Sequence, residues 1–305
     1  MQPGGNLPNS RARLRVFAII SAQAIDRWQP ILAVISALAM IAAEPARAAV
    51  EEATQIGGVD VVVWTPSTPP PARVPVLVFS HALYMCPTQS RYLTSALADA
   101  GYLVIAPRHR DSSCSFSMSL SFARMSGKPS PLWNDSDYRD RADNVRDVVE
   151  ALRLDPRYRH IADPAQLGLI GHSLGGYTVL GLAGAWPSWR LPGVRAIVAL
   201  TPYTLPFQRS EGLRQLAVPT MYQVGTLDPV FTVPLEQFAY EQTSLPKYLV
   251  RIAWANHLAW TDFGWFNRDA IIGYTTAFLD HYVKGAPEGN ALHTALAGTA
   301  DFRRD

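Results

Sequence analysis

What most constrains this chain is a set of short, almost wholly apolar runs rich in β-branched residues, spaced by longer stretches of helical periodicity. The runs are Val59 to Trp64, Val74 to Phe79, Tyr102 to Ala106, Leu167 to Ile170, Val194 to Leu200, Val218 to Val224 and Tyr248 to Trp254. A strand exposed on one face alternates apolar and polar residues, whereas one covered on both faces does not need to. Between the runs, three stripes fall at helical spacing: Tyr92, Leu93, Ala96, Leu97 and Ala100; Val145, Val148, Val149 and Leu152; and Ile271, Tyr274, Phe278 and Tyr282. Strands alternating with helices predict a mostly parallel central sheet covered by helices on both faces, an α/β fold in one domain. Pro66 to Pro71 reads as a loop, and the serine-rich stretch from Ser112 to Asp137, which lacks periodicity, as a long loop that is either a lid or substrate wall or a disordered segment.

Residues 1–48 differ from the remainder. Arg11, Arg13, Arg15 and Arg27 precede an apolar run of 13 residues from Ile31 to Ala43, and Ala46-Arg47-Ala48 offers small residues at cleavage spacing. This reads as a secretory signal peptide, because a membrane span needs about 20 apolar residues. The expectation is an exported protein, periplasmic or secreted, whose mature domain covers residues 49–305 and has no stable membrane span. The leader holds five arginines and two acids, so its removal turns the net charge of +2 into −1. No clustered basic face remains, and no nucleic-acid partner is expected.

The chemistry is carried by one turn. Leu167 to Ile170 runs as a strand into Gly171-His172-Ser173-Leu174-Gly175-Gly176, and Tyr177 to Ala185 continues as a helix. A serine on such a strand-to-helix elbow stands above the sheet, and the glycines let helix and strand approach closely. Its hydroxyl attacks only when a base takes its proton, so a histidine and an orienting acid must follow. Asp228 is the only aspartate between Leu174 and His257, and it follows a strand; Glu211, Glu236 and Glu241 are the other acids in that interval. His257 follows the last apolar run, whereas His281 lies in the final helix and His293 in a polar tail. The expected catalytic set is therefore Ser173, Asp228 and His257, with His172 packing beside the nucleophile. The oxyanion donors are expected to be the N–H of Leu174 and that of Leu83, with Ala82 the second choice, in the loop Ser80-His81-Ala82-Leu83-Tyr84. Trp254, Trp260, Phe263, Trp265 and Phe266 crowd the histidine loop as candidates for an acyl pocket or for core. No metal-ligand spacing, Walker loop or dinucleotide glycine pattern occurs, so neither metal nor cofactor is expected.

At these residues the chain resembles the α/β-hydrolase superfamily, and within it the platelet-activating-factor acetylhydrolase and dienelactone-hydrolase-like branch. The resemblance runs from about Val74 to Phe266. It rests on Ser80-His81-Ala82-Leu83, on Arg108-His109-Arg110-Asp111-Ser112, on the elbow, and on His257 with Asp262 and Phe263 beyond it. It implies a cofactor-free serine esterase acting on a small-molecule ester with short or modified acyl groups. Two departures are visible: Ala82 stands where the branch has glycine, and Ser173 where dienelactone hydrolases have cysteine. A serine peptidase on the same fold and a non-catalytic binding protein are the alternative readings. In this fold the loops carrying Cys86 and Cys114 leave neighbouring strands at one sheet edge, so a disulfide between them is expected in an exported chain, the alternative being two free thiols.

Overall fold

The computed structural model describes residues 49–68, 70, 72–114, 132–231 and 233–305. The leader and most of the serine-rich loop lie outside the described residues. β1 (Val50–Ile56), β2 (Val59–Thr65), β3 (Val74–Ser80), β4 (Leu103–Pro107), β5 (Ala162–His172), β6 (Val194–Leu200), β7 (Thr220–Gly225), β8 (Lys247–Ile252) and β9 (Thr299–Arg304) form one sheet in the order β1-β2-β4-β3-β5-β6-β7-β8-β9. From β4 to β8 every pairing is parallel. The β1-β2 hairpin closes one edge antiparallel and β9 the other.

The parallel strands are apolar on both sides because each side meets a separate layer. In β3, Val74, Val76 and Val78 face one core while Leu77 and Phe79 face the other, and β6 divides likewise. On the first side lie α2 (Arg139–Leu152) and α3 (Leu174–Leu180), following α1 (Arg91–Asp99) in the chain. Val145, Val148, Val149 and Leu152 of α2 are buried there together with Leu174, Tyr177 and Leu180 of α3. On the second side, α1 contributes Leu93, Leu97 and Ala98; α5 (Arg268–Leu279), which follows α4 (Val233–Gln242), contributes Ile271, Tyr274 and Phe278. The three predicted stripes are these helices.

The two edge strands that sequence reading did not anticipate, β1 and β9, are the ones without an apolar pattern. Val50–Ile56 buries only Ile56 fully, and Thr299–Arg304 has no buried residue. Their pairing rests mainly on backbone hydrogen bonds to β2 and β8, and Ile56 and the half-buried Phe302 are what they add to the core. Through β9 the end of the polar tail joins the sheet, while His293 stays outside it, just after the turn Asn290–Leu292. Among the described residues, no helix is long and apolar enough to cross a membrane.

Candidate active site

In a parallel sheet all strands point the same way, so the loops after them gather at one edge, where such folds bind ligands. The loop after β3 carries Leu83, that after β4 carries Asp111, that after β5 carries Ser173, that after β7 carries Asp228 and that after β8 carries His257. Residues far apart in sequence thus meet.

Ser173 sits between β5 and α3 with φ 55° and ψ −114°, a left-handed backbone that a non-glycine residue adopts only when its surroundings enforce it. The enforcement is visible: its N–H donates to Leu200 at 3.0 Å, and its carbonyl accepts from Tyr177 at 3.1 Å and Tyr203 at 3.0 Å. Two glycines make the turn sterically possible. A Cβ on Gly171 would lie 2.1 Å from the Gly175 carbonyl oxygen, and one on Gly175 would lie 1.9 Å from that of Ser80. The second contact shows how closely the loop after β3 overlies the elbow.

The structure brings the three expected residues together. His257 Nε2 lies 2.9 Å from Ser173 Oγ, and His257 Nδ1 lies 2.9 Å from Asp228 Oδ2. All three side chains are buried. Asp228 Oδ1 accepts the N–H groups of Val230 at 2.7 Å and Phe231 at 3.1 Å, and Oδ2 also accepts the hydroxyl of Thr201. Burial by itself would raise this carboxyl, but the hydrogen bond and charge of His257, then Thr201 and the Val230 N–H, outweigh it and hold Asp228 at about 2. A carboxylate fixed in this way presents a single acceptor to His257 Nδ1–H and leaves Nε2 facing the serine. Of the other acids, Glu236 pairs with Arg251 at 2.6 Å and Glu241 accepts from Gln237. His281 Nδ1 faces the carbonyl of Ala286 at 2.8 Å, and His293 faces Glu288 at 3.1 Å.

Of the two candidate donors after β3, the Ala82 N–H is already committed to Gln89 Oε1 at 2.9 Å. Leu83 N–H and Leu174 N–H, the latter in the first turn of α3, remain as the expected pair. Behind Leu83 the two motif segments form one polar cluster. Ser80 Oγ lies 2.9 Å from His109 Nε2, His81 Nδ1 donates to the Ala82 carbonyl at 2.8 Å, and the His109 N–H donates to His81 Nε2 at 3.3 Å. Burial, then the charge of Arg141, lowers His81 to about 3 and His109 well below its usual value, so both rings stay neutral. Arg141 itself, with no exposed side chain, grips Asp111 at 2.7 Å and 3.1 Å and donates to the His81 carbonyl at 2.7 Å.

Three supporting residues escape sequence reading. Thr201, Gln89 and Arg141 each act through contacts far along the chain, and Arg141 stands in a helix whose other charges are solvated. The aromatic crowd after β8 divides. Trp260 is core, its indole N–H donating to Gln223 at 3.3 Å, while Trp254 and Trp265 are each 73% exposed. Leu227, Trp254, Phe263, Trp265 and Phe266 line a cavity of about 300 Å³ whose wall includes neither Ser173 nor His257. Cys86 and Cys114 stand joined with their Cα atoms 4.8 Å apart.

A nine-stranded, mostly parallel sheet with a serine elbow after its central strand defines the α/β-hydrolase class, and the protein has that fold. Residues 52–163 match the family model for platelet-activating factor acetylhydrolase, isoform II. The similarity read from the motifs is thus shown over β1 to the start of β5, a little over a third of the chain, and it supports a hydrolase acting on esters. The matched stretch starts before Val74, where the motif resemblance begins, and ends before Ser173. A search of the curated proteins finds no match.

Proposed function

We propose that the protein is a serine carboxylic-ester hydrolase that works through an acyl-enzyme on Ser173. The observation that carries the reading is the continuous contact Ser173 Oγ to His257 Nε2 to Asp228, 2.9 Å at each step, at a strained elbow. His257 takes the hydroxyl proton as Ser173 Oγ bonds to the acyl carbon, and the carbonyl oxygen becomes an oxyanion held by the N–H groups of Leu83 and Leu174. The oxyanion collapses, the ester C–O bond breaks, and the alcohol leaves with the proton from His257. A water, deprotonated by His257, then attacks the acyl carbon, and the acid leaves as Ser173 regains its proton. No cofactor enters any step.

The match to the acetylhydrolase family over residues 52–163 favours an ester over a peptide substrate, and the complete set of three side chains favours an enzyme over a binding protein. The substrate is a small-molecule ester with a short or modified acyl group, and the site of action is outside the cytoplasm, after removal of residues 1–48. A panel of nitrophenyl esters from acetate to palmitate tests the reading: turnover should fall as the acyl chain lengthens. Absence of turnover on every member by mature protein would overturn it.

A further inference from the structure

His172 has no task in acyl transfer, yet it is buried and bonded at both ring nitrogens. Its Nε2 lies 2.9 Å from the backbone carbonyl of His257, and its Nδ1 lies 3.0 Å from Gln89 Nε2. The direction of these bonds can be worked out without seeing a proton. A backbone N–H can only donate, so the Ala82 N–H at 2.9 Å requires the oxygen of the Gln89 amide. The amide nitrogen then faces His172 and donates to Nδ1. A neutral imidazole that accepts at Nδ1 carries its proton on Nε2, where it meets the His257 carbonyl. The ring stays neutral because burial, and next the neighbouring His257, lowers it to about 3.

The relay therefore runs Ala82 N–H, Gln89, His172, His257 C=O. It joins the loop after β3, which presents Leu83, to the loop after β8, which presents the base. Two neighbouring groups repeat the link: the backbone carbonyl of Gln89 accepts the Asp262 N–H at 2.7 Å, and the Ser90 hydroxyl donates to the Trp260 carbonyl at 2.5 Å. Gln89 and His172 are nearly sealed from water. A buried amide with every strong partner satisfied adopts one orientation and holds its neighbours in one geometry.

We infer that Gln89 is a positioning residue that sets the spacing between the oxyanion donors and the base, acting through His172. The inference rests on the Ser173–His257 reading above. Misplacing one half of such a site by about 1 Å costs on the order of 10²-fold in rate.

The test measures phosphonylation of Ser173 by a fluorophosphonate, together with kcat and KM on a short nitrophenyl ester. Wild-type protein unlabelled at Ser173 would overturn the triad and the relay together. With Ser173 labelled, Gln89→Leu should react on the order of 10- to 10²-fold more slowly, with the loss in kcat and KM within about twofold. Gln89→Met is close to the same size but neither accepts from the Ala82 N–H nor donates to His172 Nδ1; it too should be slow, and it decides the matter if Gln89→Leu does not fold. A wild-type rate in either variant that folds would overturn the relay while leaving the triad standing. Because the two residues act in series, Gln89→Leu with His172→Phe should cost no more than the larger single effect; effects that multiply would overturn the coupling.

Discussion

Arg141 donates through Nη2 to the carbonyl of Ala82 at 3.3 Å, and that carbonyl shares one planar trans peptide with the N–H of Leu83. The two groups point in opposite directions, so whatever holds the carbonyl aims the N–H. His81 Nδ1 and the Met85 N–H hold the same oxygen, at 2.8 Å and 3.1 Å. The donor assigned to the oxyanion is therefore oriented from behind by a buried cation whose charge Asp111 balances.

Removing that cation should be costly twice over. Arg141→Met leaves Asp111 without its partner and frees the peptide, and should lower stability by about 3 kcal/mol. Arg141→Lys keeps the charge but not the two-pronged grip, and should fall between wild type and Arg141→Met in both stability and kcat. Urea denaturation and ester turnover check the order. A lysine variant indistinguishable from wild type would show that charge alone suffices.

The assignment of roles at the elbow predicts that Ser173→Ala abolishes fluorophosphonate labelling, since an activated hydroxyl is what attacks phosphorus. His257→Ala should lower turnover by on the order of 10⁴, while His281→Ala, whose ring faces Ala286, should leave it nearly unchanged. Labelling that persists without Ser173 would refute the nucleophile.

Asp228 gives a pH prediction of definite sign. Its carboxyl titrates at about 2 in the folded protein, against about 3.9 in an unfolded chain. A depressed acid stabilises the fold at any pH well above the unfolded value and loses that contribution as pH falls through the folded one. The stability difference between wild type and Asp228→Asn should thus be constant above about pH 5 and shrink toward pH 2. Denaturation at a series of pH values measures it, and a difference that grows on acidification would contradict the environment described for Asp228.

How much of this was legible beforehand differs by element. β6 has the predicted bounds Val194–Leu200, because a run apolar on both faces has only one place to go. β1 and β9 left no trace because strand identity there lies in the partner's edge. The triad was readable because the elbow has a local glycine pattern and chain order narrows the rest. Gln89 was not: its function depends on an alanine N–H seven residues earlier and a histidine 83 residues later, and no local pattern encodes that meeting.

The glycines of the elbow invite a steric test. Gly175→Ala places a methyl 1.9 Å from the Ser80 carbonyl oxygen, a backbone atom that cannot turn aside. Either the loop after β3 or the helix after Ser173 must move, and overpacking of this kind costs about 1–3 kcal/mol. Activity should fall further than stability does, since the moving parts carry the oxyanion donors. Gly193→Ala, whose Cβ would meet nothing within 4 Å although its φ is +86°, is the control for backbone strain alone. Equal loss of turnover in the two variants would count against a tight elbow.

The final prediction concerns Cys86 and Cys114, which lie in the loops after β3 and β4. A Cα separation of 4.8 Å suits a disulfide, and the loops are already drawn together by Ser112 Oγ donating to the Met85 carbonyl and Ser113 Oγ to that of Tyr84, each at 2.7 Å. Bonding across a sequence separation of 28 should stabilise the fold by about 3–4 kcal/mol on the chain-entropy model. It also ties down Met85 and Tyr84, which directly follow Leu83. Reduction should therefore lower the denaturation midpoint and slow acylation of Ser173 at temperatures where the protein is still folded. Thiol titration of the denatured, unreduced mature protein should find no free thiol; two per chain would refute the bond and weaken the case for export to an oxidising compartment, where such bonds persist.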